Sequence, residues 1–294
     1  MGRALADAHP VARRVFEEAD DILGVKLSAL MWEGPGDELV LTRNAQPAIL
    51  THSVAVHRVL GDRAGIPALA AGHSLGEFSA WVAAGAISFE DALEVVRLRG
   101  ELMFEAGEAR PGTMAALLGL DDAGAEALCR DATTGEDSVV VPANLNAAGQ
   151  VVISGDVDAV DRAIEGASEA GAKRAIRLNV SGAFHSPLME PAVEGLRERL
   201  HRVKFEPPTF PVVSNVTAEP VDDPEAIAGL LVRQLTAPVR WAESVGRMVD
   251  AGIDHFLELG PGNVLTGLNR RNARGVPSLA LQGPEDLEGV ESHG

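Results

Sequence analysis

Hydrophobic residues recur along this chain at two spacings, one typical of helices and one typical of short buried strands. Helical spacing over 3–24 and 46–65 predicts two helices, the second with Pro47 near its first turn. The apolar run "IPALAAG" (66–72) predicts a short, fully buried strand that leads into a helix over 75–85. The first part of the chain is therefore predicted to be helical around one buried strand.

The hydrophobic pattern changes after residue 111. Between residues 112 and 180 it predicts elements in the order β-α-β-β-α-β, which is the ferredoxin-like pattern. The predicted strands cover 113–120, 138–147, 149–155 and 173–180, and the predicted helices cover 121–133 and 156–172. We therefore expect residues 112–180 to form a small ferredoxin-like subdomain, inserted into a larger unit made of residues 1–111 and 181–294.

The larger unit alternates helices and strands on both sides of the insertion. This alternation favours an α/β fold with a mostly parallel sheet and helices on both faces. A further helix is predicted to follow Ser88, which should cap its start, and to end near Gly107. Other helices are predicted over 227–235 and 263–271, and other strands over 209–215 and 253–259. The acidic end, 283–294, is predicted to be a frayed tail.

Composition and charge narrow the classes of function. The 294 residues include 25 basic and 43 acidic side chains, and the net charge of −18 argues against nucleic acid as the main partner. Glycine or charge interrupts every apolar run before the roughly 20 residues that span a bilayer, so no membrane partner is expected. A single cysteine, Cys129, fits a reducing cytoplasm. No P-loop, GxGxxG, HExxH or paired-cysteine motif occurs, so neither a metal nor a cofactor is expected.

The most specific pattern is Gly72-His73-Ser74-Leu75-Gly76, which matches the G-x-S-x-G of a nucleophile elbow. It stands between a predicted strand and a predicted helix, where a tight turn would present the serine and need small residues on both sides. The amide of Leu75 would then lie at the N-terminus of the helix, ready to donate to an oxyanion. The alternative is an ordinary strand-to-helix turn that happens to contain a serine.

A nucleophilic serine needs a base. Most of the eight histidines lie in polar helical, tail or strand contexts, and the side chain of His73 should point away from the neighbouring serine. His185 is the remaining candidate, in the loop "NVSGAFHSPLM" that follows the last predicted strand of the insertion. A lone loop histidine can equally be a solvated surface residue, and spacing alone leaves both interpretations open.

Four segments together resemble the malonyl-CoA:acyl carrier protein transacylases of fatty-acid synthesis and the related acyltransferase domains of polyketide synthases. They are "AGHSLGEFSAWVAAGAISFEDALEVVRLRGELM", "NLNAAGQVVISG", "SGAFHSPLM" and "LELGPGNVLTGLNRR". The resemblance implies an α/β-hydrolase-like large subdomain with an inserted ferredoxin-like one. It also implies a ping-pong reaction, in which malonyl-CoA forms a serine ester and the phosphopantetheine thiol of acyl carrier protein then takes the malonyl group.

The same resemblance implies roles for individual residues. Ser74 would be the nucleophile, His185 the general base and then acid, and the backbone carbonyl of Gln234 would orient the histidine. Arg99 would bind the malonyl carboxylate through its planar guanidinium. The position of Arg99 on a helix, taken alone, favours a solvated surface arginine.

Two more positions match residues of the acyl pocket in the resembled family. Met103, one helical turn after Arg99, would line the pocket, although methionine at such a position is also typical of plain core. Phe184, immediately before the candidate base, would crowd out the extra methyl group of methylmalonyl.

Members of the resembled family begin with an apolar strand and a Gly-Gln-Gly-Ser-Gln motif, and the present sequence starts at the Met-Gly that follows them. We therefore expect the chain to lack the strand beside the elbow and the second oxyanion amide. A misassigned start, a truncation or a damaged copy would each account for this. Three alternatives stay open: a serine hydrolase or thioesterase, an inactive truncated copy, and an acyltransferase unit cut from a polyketide synthase. We expect a stand-alone, monomeric enzyme.

Overall fold

The computed structural model describes residues 1–288 and Val290, which adopt a mixed α/β fold. The helices are α1 (Arg3–Ala8), α2 (Pro10–Leu23), α3 (Leu27–Glu33), α4 (Gly36–Leu39), α5 (Thr42–Leu60), α6 (Gly76–Ala83), α7 (Phe89–Ala109), α8 (Asp122–Ala132), α9 (Val157–Gly166), α10 (Glu190–Leu200), α11 (Pro224–Arg233), α12 (Trp241–Asp250), α13 (Val264–Asn272) and α14 (Pro284–Glu288). The strands are β1 (Ala70–Ala71), β2 (Gly112–Leu118), β3 (Val140–Ala147), β4 (Gln150–Asp156), β5 (Arg174–Arg177), β6 (Val212–Val213), β7 (Pro220–Val221), β8 (Phe256–Leu259) and β9 (Ser278–Leu281). Within the described residues they form a three-stranded, a four-stranded and a two-stranded sheet.

The helix predicted over 3–24 is divided in two. α1 ends before His9 and α2 begins at Pro10, because proline lacks the N–H that a continuous helix would need and is favoured at the first helical position. α2 then stops at Gly24, whose φ of 64° is the left-handed conformation that glycine adopts readily. The hydrophobic spacing therefore predicts the end of the helix correctly and its continuity wrongly.

Pro47 lies inside α5 and not in its first turn, because the helix begins at Thr42, four residues before the predicted start. A proline inside a helix leaves the carbonyl four residues earlier, here that of Arg43, without its N–H partner. Arg97 on α7 supplies the missing donor, with Nη1 3.1 Å from the Arg43 carbonyl oxygen. A side chain from a distant segment thus compensates for the proline.

The fully buried strand predicted over 66–72 is mostly wrong. Only β1 pairs with another strand, it is half-buried, and Ile66 is 85% exposed. Pro67 has no N–H to donate to a ladder, which restricts pairing to the end of the run. β1 runs parallel to β6, β6 runs antiparallel to β7, and β8 and β9 form a separate parallel pair. Two of these three strand pairs are parallel, as expected for the larger unit, but within the described residues they belong to two separate sheets and not to one.

Residues 112–180 contain a sheet and a hydrophobic cluster of their own. The strand order is β3-β4-β2-β5, and every neighbouring pair is antiparallel. α8 and α9 contact each other and this sheet, around the buried side chains of Leu117, Leu128, Ile153 and Val160. The strands and helices follow one another in the order that the hydrophobic pattern predicts.

The main core joins α5, α7 and α10 to the helix that follows the elbow. Its largest fully buried side chains include Phe16, Phe78, Trp81 and Leu93. α5 and α7 make extensive contacts with each other, and α6 packs against both. This packing gives the turn between β1 and α6 a rigid support.

The frayed tail predicted over 283–294 is wrong for its first residues. Pro284–Glu288 form α14, and Leu287 is 1% exposed. Arg63 donates from Nη1 to the Leu287 carbonyl at 3.0 Å, which holds the segment to the body. The rest of the predicted tail, Gly289 and 291–294, lies outside the described residues. Among the residues that the structure describes, no helix has both the length and the apolar character needed to cross a membrane.

Candidate active site

The turn at Ser74 is a sharp one between β1 and α6. Ser74 has a φ of 51°, a left-handed conformation that is uncommon for a residue with a side chain. A Cβ at Gly72 would lie 1.9 Å from the backbone of Gly76, so only glycine fits there. A Cβ at Gly76 would have no heavy atom within 4 Å. The expectation that both sides need a small residue is therefore correct at Gly72 and wrong, on grounds of space, at Gly76.

Asn215 holds the strained turn in place. Its Oδ1 accepts from the Ser74 N–H at 2.7 Å, and its Nδ2 donates to the Gly72 carbonyl at 2.7 Å. The side chain is fully buried just after β6, the strand that pairs with β1. Sequence reasoning missed this residue; the only available indication was its place at the end of a predicted strand.

His185 lies within hydrogen-bond distance of the serine, with Nε2 2.8 Å from Ser74 Oγ. Nδ1 lies 2.8 Å from the Gln234 backbone oxygen, which can only accept, so Nδ1 carries the proton and Nε2 is free to accept one. Burial and, next, the Arg99 charge lower the pKa of His185 to about 3, so the imidazole is neutral near pH 7. The interpretation of His185 as a solvated loop residue is wrong, since its side chain is buried.

Arg99 is 1% exposed and points at the serine, with Nη2 3.2 Å from Ser74 Oγ. The same nitrogen donates to Gln234 Oε1 at 3.0 Å, and Nη1 donates to Gln46 Oε1 at 2.6 Å. Burial lowers the pKa of Arg99 to about 10, which still leaves the group cationic near pH 7. The surface position that helical spacing favours for Arg99 is therefore wrong.

Arg99 has capacity for an anionic ligand. Its hydrogen-bond partners among the described residues are a hydroxyl and two neutral amides, and its buried Nε has no partner among them. Gln46 on α5, which sequence reasoning missed, is fixed by donating from Nε2 to Thr42 Oγ1 at 2.8 Å and to Met103 Sδ at 3.4 Å. A buried cation held by neutral groups beside a serine hydroxyl is suited to binding a carboxylate.

Of the other predicted residues, Leu75 and Phe184 are chain neighbours of Ser74 and His185, and Met103 contacts the site through Gln46. Leu75 is 7% exposed, and within the described part of the chain its N–H makes no hydrogen bond, so it is free to donate to an oxyanion. Met103 is buried and contacts Gln46, and Phe184 is half-buried beside the cluster formed by Met114, Ala143 and Val152. His73 points away from the serine, as expected, with Nε2 2.8 Å from Asn146 Oδ1.

The fold thus brings a serine hydroxyl, a neutral imidazole, a free backbone amide and a buried cation together at the turn that holds Ser74. A model of the acyl transferase domain matches residues 1–284. The chain belongs to the acyl transferase domain family.

Individual members of this family cover almost the whole chain. The malonyl CoA-acyl carrier protein transacylase of Bacillus subtilis is 48% identical over 290 residues, which cover 98% of this chain and 90% of the relative. The crystal structure of an acyl carrier protein S-malonyltransferase from Vibrio cholerae has a TM-score of 0.95 at 44% identity and covers 99% of this chain and 95% of its own. A malonyl-transacylase in complex with a type II PKS acyl-carrier protein has a TM-score of 0.94 at 43% identity, covering 100% and 95%.

This member of the family also buries an acid next to the residues that hold Ser74 and His185. Glu77, one residue into α6, is fully buried and accepts from Gln234 Nε2 at 2.6 Å and from the Asn215 N–H at 3.2 Å. Burial raises the pKa of Glu77 to about 7, and the hydrogen bonds and the Arg99 charge oppose the rise. Sequence reasoning missed Glu77, since a single glutamate in the first turn of a helix is usually an exposed residue. No cluster of metal-ligating side chains occurs in the part of the chain that the structure describes.

Proposed function

We propose that this protein transfers the malonyl group of malonyl-CoA to the phosphopantetheine thiol of acyl carrier protein, through an ester on Ser74. The observation that carries the proposal is the buried guanidinium of Arg99, 3.2 Å from Ser74 Oγ and held by neutral groups. A simple thioesterase has no need of such a cation, whereas a malonyl group brings the carboxylate that would pair with it. The names of the similar proteins support the same substrates.

In the first half-reaction, the neutral imidazole of His185 takes the hydroxyl proton as Ser74 Oγ attacks the thioester carbonyl. The Leu75 N–H donates to the oxygen on which negative charge develops. When the carbon–sulfur bond breaks, His185 returns the proton to the sulfur and CoA leaves as a thiol. The Gln234 carbonyl, 2.8 Å from Nδ1, stabilises the imidazolium that forms between the two proton transfers.

In the second half-reaction, the carrier thiol occupies the place of CoA. His185 takes the thiol proton, sulfur attacks the ester carbonyl, and the proton returns to Ser74 Oγ as the ester bond breaks. No net proton is consumed in either half-reaction, because each exchanges one hydroxyl or thiol proton for another.

Selectivity follows from the walls of the site. Arg99 favours acyl groups with a terminal carboxylate, because a neutral acyl chain would displace its polar partners without replacing the charge interaction. Met103 lines the acyl pocket, and Phe184 disfavours a branched methylmalonyl group by crowding. A competition between malonyl-CoA and methylmalonyl-CoA tests the last point, and equal transfer of the two would contradict it.

The proposal extends to the organisation of the chain. Residues 112–180 form an inserted ferredoxin-like subdomain, which the antiparallel strand order β3-β4-β2-β5 supports, and residues 1–111 and 181–294 form an α/β-hydrolase-like catalytic unit. A monomeric state and a cytoplasmic location stay predictions from the sequence, and the molar mass of the purified protein in solution tests the first.

The experiment that tests the function is the intact mass of the purified protein after brief exposure to malonyl-CoA, with Ser74→Ala as the control. A malonyl adduct on the wild type alone, which then disappears when holo acyl carrier protein is added and reappears on the carrier, is the expected result. Loss of the adduct to water without transfer would favour a serine hydrolase. No adduct on a folded protein would favour an inactive copy.

A further inference from the structure

The Glu77 carboxylate contacts the groups that hold Ser74 and His185, and it makes no hydrogen bond to the side chain of either. Its Oε2 accepts from the side chain of Gln234 at 2.6 Å and from the backbone of Asn215 at 3.2 Å. Gln234 binds His185 through its backbone oxygen, and Asn215 binds the Ser74 N–H. The Glu77 carboxylate therefore acts on His185 through Gln234 and on the Ser74 turn through Asn215.

Glu77 also determines which way the Gln234 amide points. Gln234 Nε2 donates both to Glu77 Oε2 and to the Ser74 carbonyl at 3.0 Å, which leaves Oε1 facing Arg99 Nη2 at 3.0 Å. A flipped amide would present N–H groups to the guanidinium and an oxygen to the carboxylate, and both contacts would be repulsive. The amide is thus a bridge between a buried acid and a buried cation.

The charges around Glu77 are few. α6 packs against α5, α7, β1 and β6, and among the described residues the charged group that acts on Glu77 is Arg99. The nearby His185 and His73 have lowered pKa values because of burial, so both are neutral near pH 7. With Glu77 ionised, the empty site holds one positive and one negative charge.

An incoming malonyl carboxylate changes this balance. Paired with Arg99, it would place a second negative charge in the same buried site, where two carboxylates that share one partner cannot both stay ionised at low cost. The malonyl carboxylate is bound directly by the guanidinium, whereas Glu77 reaches it only through the Gln234 amide. Glu77 is therefore the group that should become neutral.

We propose that Glu77 is a positioning residue that takes up a proton from solvent when the malonyl carboxylate pairs with Arg99, so that the acyl-enzyme keeps a single buried ion pair. The inference rests on the proposed malonyl transfer and adds a proton-linked step to it. A protonated Glu77 still accepts from Gln234 Nε2 through its carbonyl oxygen, so the amide and the base stay in place.

The number of protons taken up depends on pH. With the pKa of Glu77 raised to about 7 in the empty enzyme, malonylation should take up little of a proton well below this pH and should approach one proton per site well above it. Proton uptake means that the malonyl form is favoured at low pH. The KM for malonyl-CoA should therefore rise several-fold between pH 7 and pH 8 through this group, with a much smaller change in kcat.

The test is a stoichiometric malonylation in weak buffer with a pH indicator, with intact mass measured on the same sample. Acyl transfer itself is proton-neutral, and ionisation of the released CoA thiol liberates protons, the opposite sign. Glu77→Gln keeps an oxygen that can accept from Gln234 and cannot titrate, so it should form the adduct without proton uptake and flatten the KM profile between pH 7 and pH 8. Glu90→Gln, at an exposed glutamate of α7, is the matched control and should behave as the wild type.

The outcomes separate the two proposals. An adduct with no net proton uptake in the wild type at pH 7, or an uptake that Glu77→Gln leaves unchanged, overturns the role of Glu77 and leaves the malonyl transfer intact. Absence of any adduct in the folded wild type overturns both. If Glu77→Gln does not fold, the number of protons that the wild type takes up on malonylation, measured from pH 6 to pH 8, still tests the proposal. A proton uptake that does not rise with pH contradicts it.

Discussion

Replacement of Gly72 by alanine should damage the elbow far more than the same replacement four residues later. The added Cβ at Gly72 would lie 1.9 Å from the backbone carbon and oxygen of Gly76, whereas ordinary contacts begin at 3.4 Å. Neither atom can rotate away as a side chain could, so the turn would have to open by about 1.5 Å, in the range where overpacking costs about 1–3 kcal/mol or more. The hydrogen bond from Asn215 Nδ2 to the Gly72 carbonyl would break as the turn opens.

The expected effect on catalysis is larger than the effect on stability. A misplacement of about 1 Å costs on the order of 100-fold in rate, because the hydroxyl, the base and the oxyanion donor must all be aligned with the same thioester carbonyl group. Gly72→Ala should therefore form the malonyl adduct at least about 100-fold more slowly in a rapid-quench intact-mass assay, and its Tm should fall by several degrees.

Gly76→Ala provides the control for stability. The new methyl group would meet no heavy atom within 4 Å, and Gly76 is the first residue of α6. Alanine is favoured over glycine in helices by up to about 1 kcal/mol, so the Tm should stay the same or rise. A Gly72→Ala protein that acylates at the wild-type rate with an unchanged Tm would refute the steric argument.

Three other predictions follow from the site. Arg99→Met should lower kcat/KM for malonyl-CoA by about 10²–10³-fold, because breaking a buried charge pair costs that much in binding free energy. The kcat/KM for acetyl-CoA, which has no carboxylate, should fall much less, and equal losses for the two substrates would contradict a carboxylate-binding role. Asn215→Ala leaves the Ser74 N–H and the Gly72 carbonyl unpaired at about 1–3 kcal/mol each, so thermal unfolding should show a clear loss of Tm. Because the pKa of His185 is lowered to about 3, acylation should lose its base only as pH falls toward that value, and a loss of kcat/KM as the pH drops through about 6.5 would argue against it.

Several local features of this protein are determined by the sequence alone. Ser88 caps α7, with Oγ accepting from the Asp91 N–H at 3.0 Å, and Gly24 ends α2 in a left-handed conformation. Gly72 is required by its own turn. Each of these features depends on residues within a few positions, so spacing and residue type are sufficient to predict it.

The lengths of the strands in the larger unit depended on tertiary structure. The runs predicted over 66–72 and 209–215 shrink to the two-residue strands β1 and β6, because a strand extends only where a partner offers donors and acceptors. Hydrophobic periodicity describes which residues are apolar and carries no information about the partner.

The polar shell of the site was likewise decided by the fold. Gln46, Glu77 and Asn215 are ordinary residues in ordinary patterns, and their chemistry arises only when α5, α6 and the chain after β6 meet around Ser74. The same holds for Arg99, whose helical spacing favours an exposed position and which the packing of α5 against α7 buries. Ser74 itself could be predicted from its own turn, because a turn is a local structure. Arg99 was predicted beside it only through the family resemblance, and Glu77 was not predicted at all, because burial and pairing depend on segments far apart in the chain.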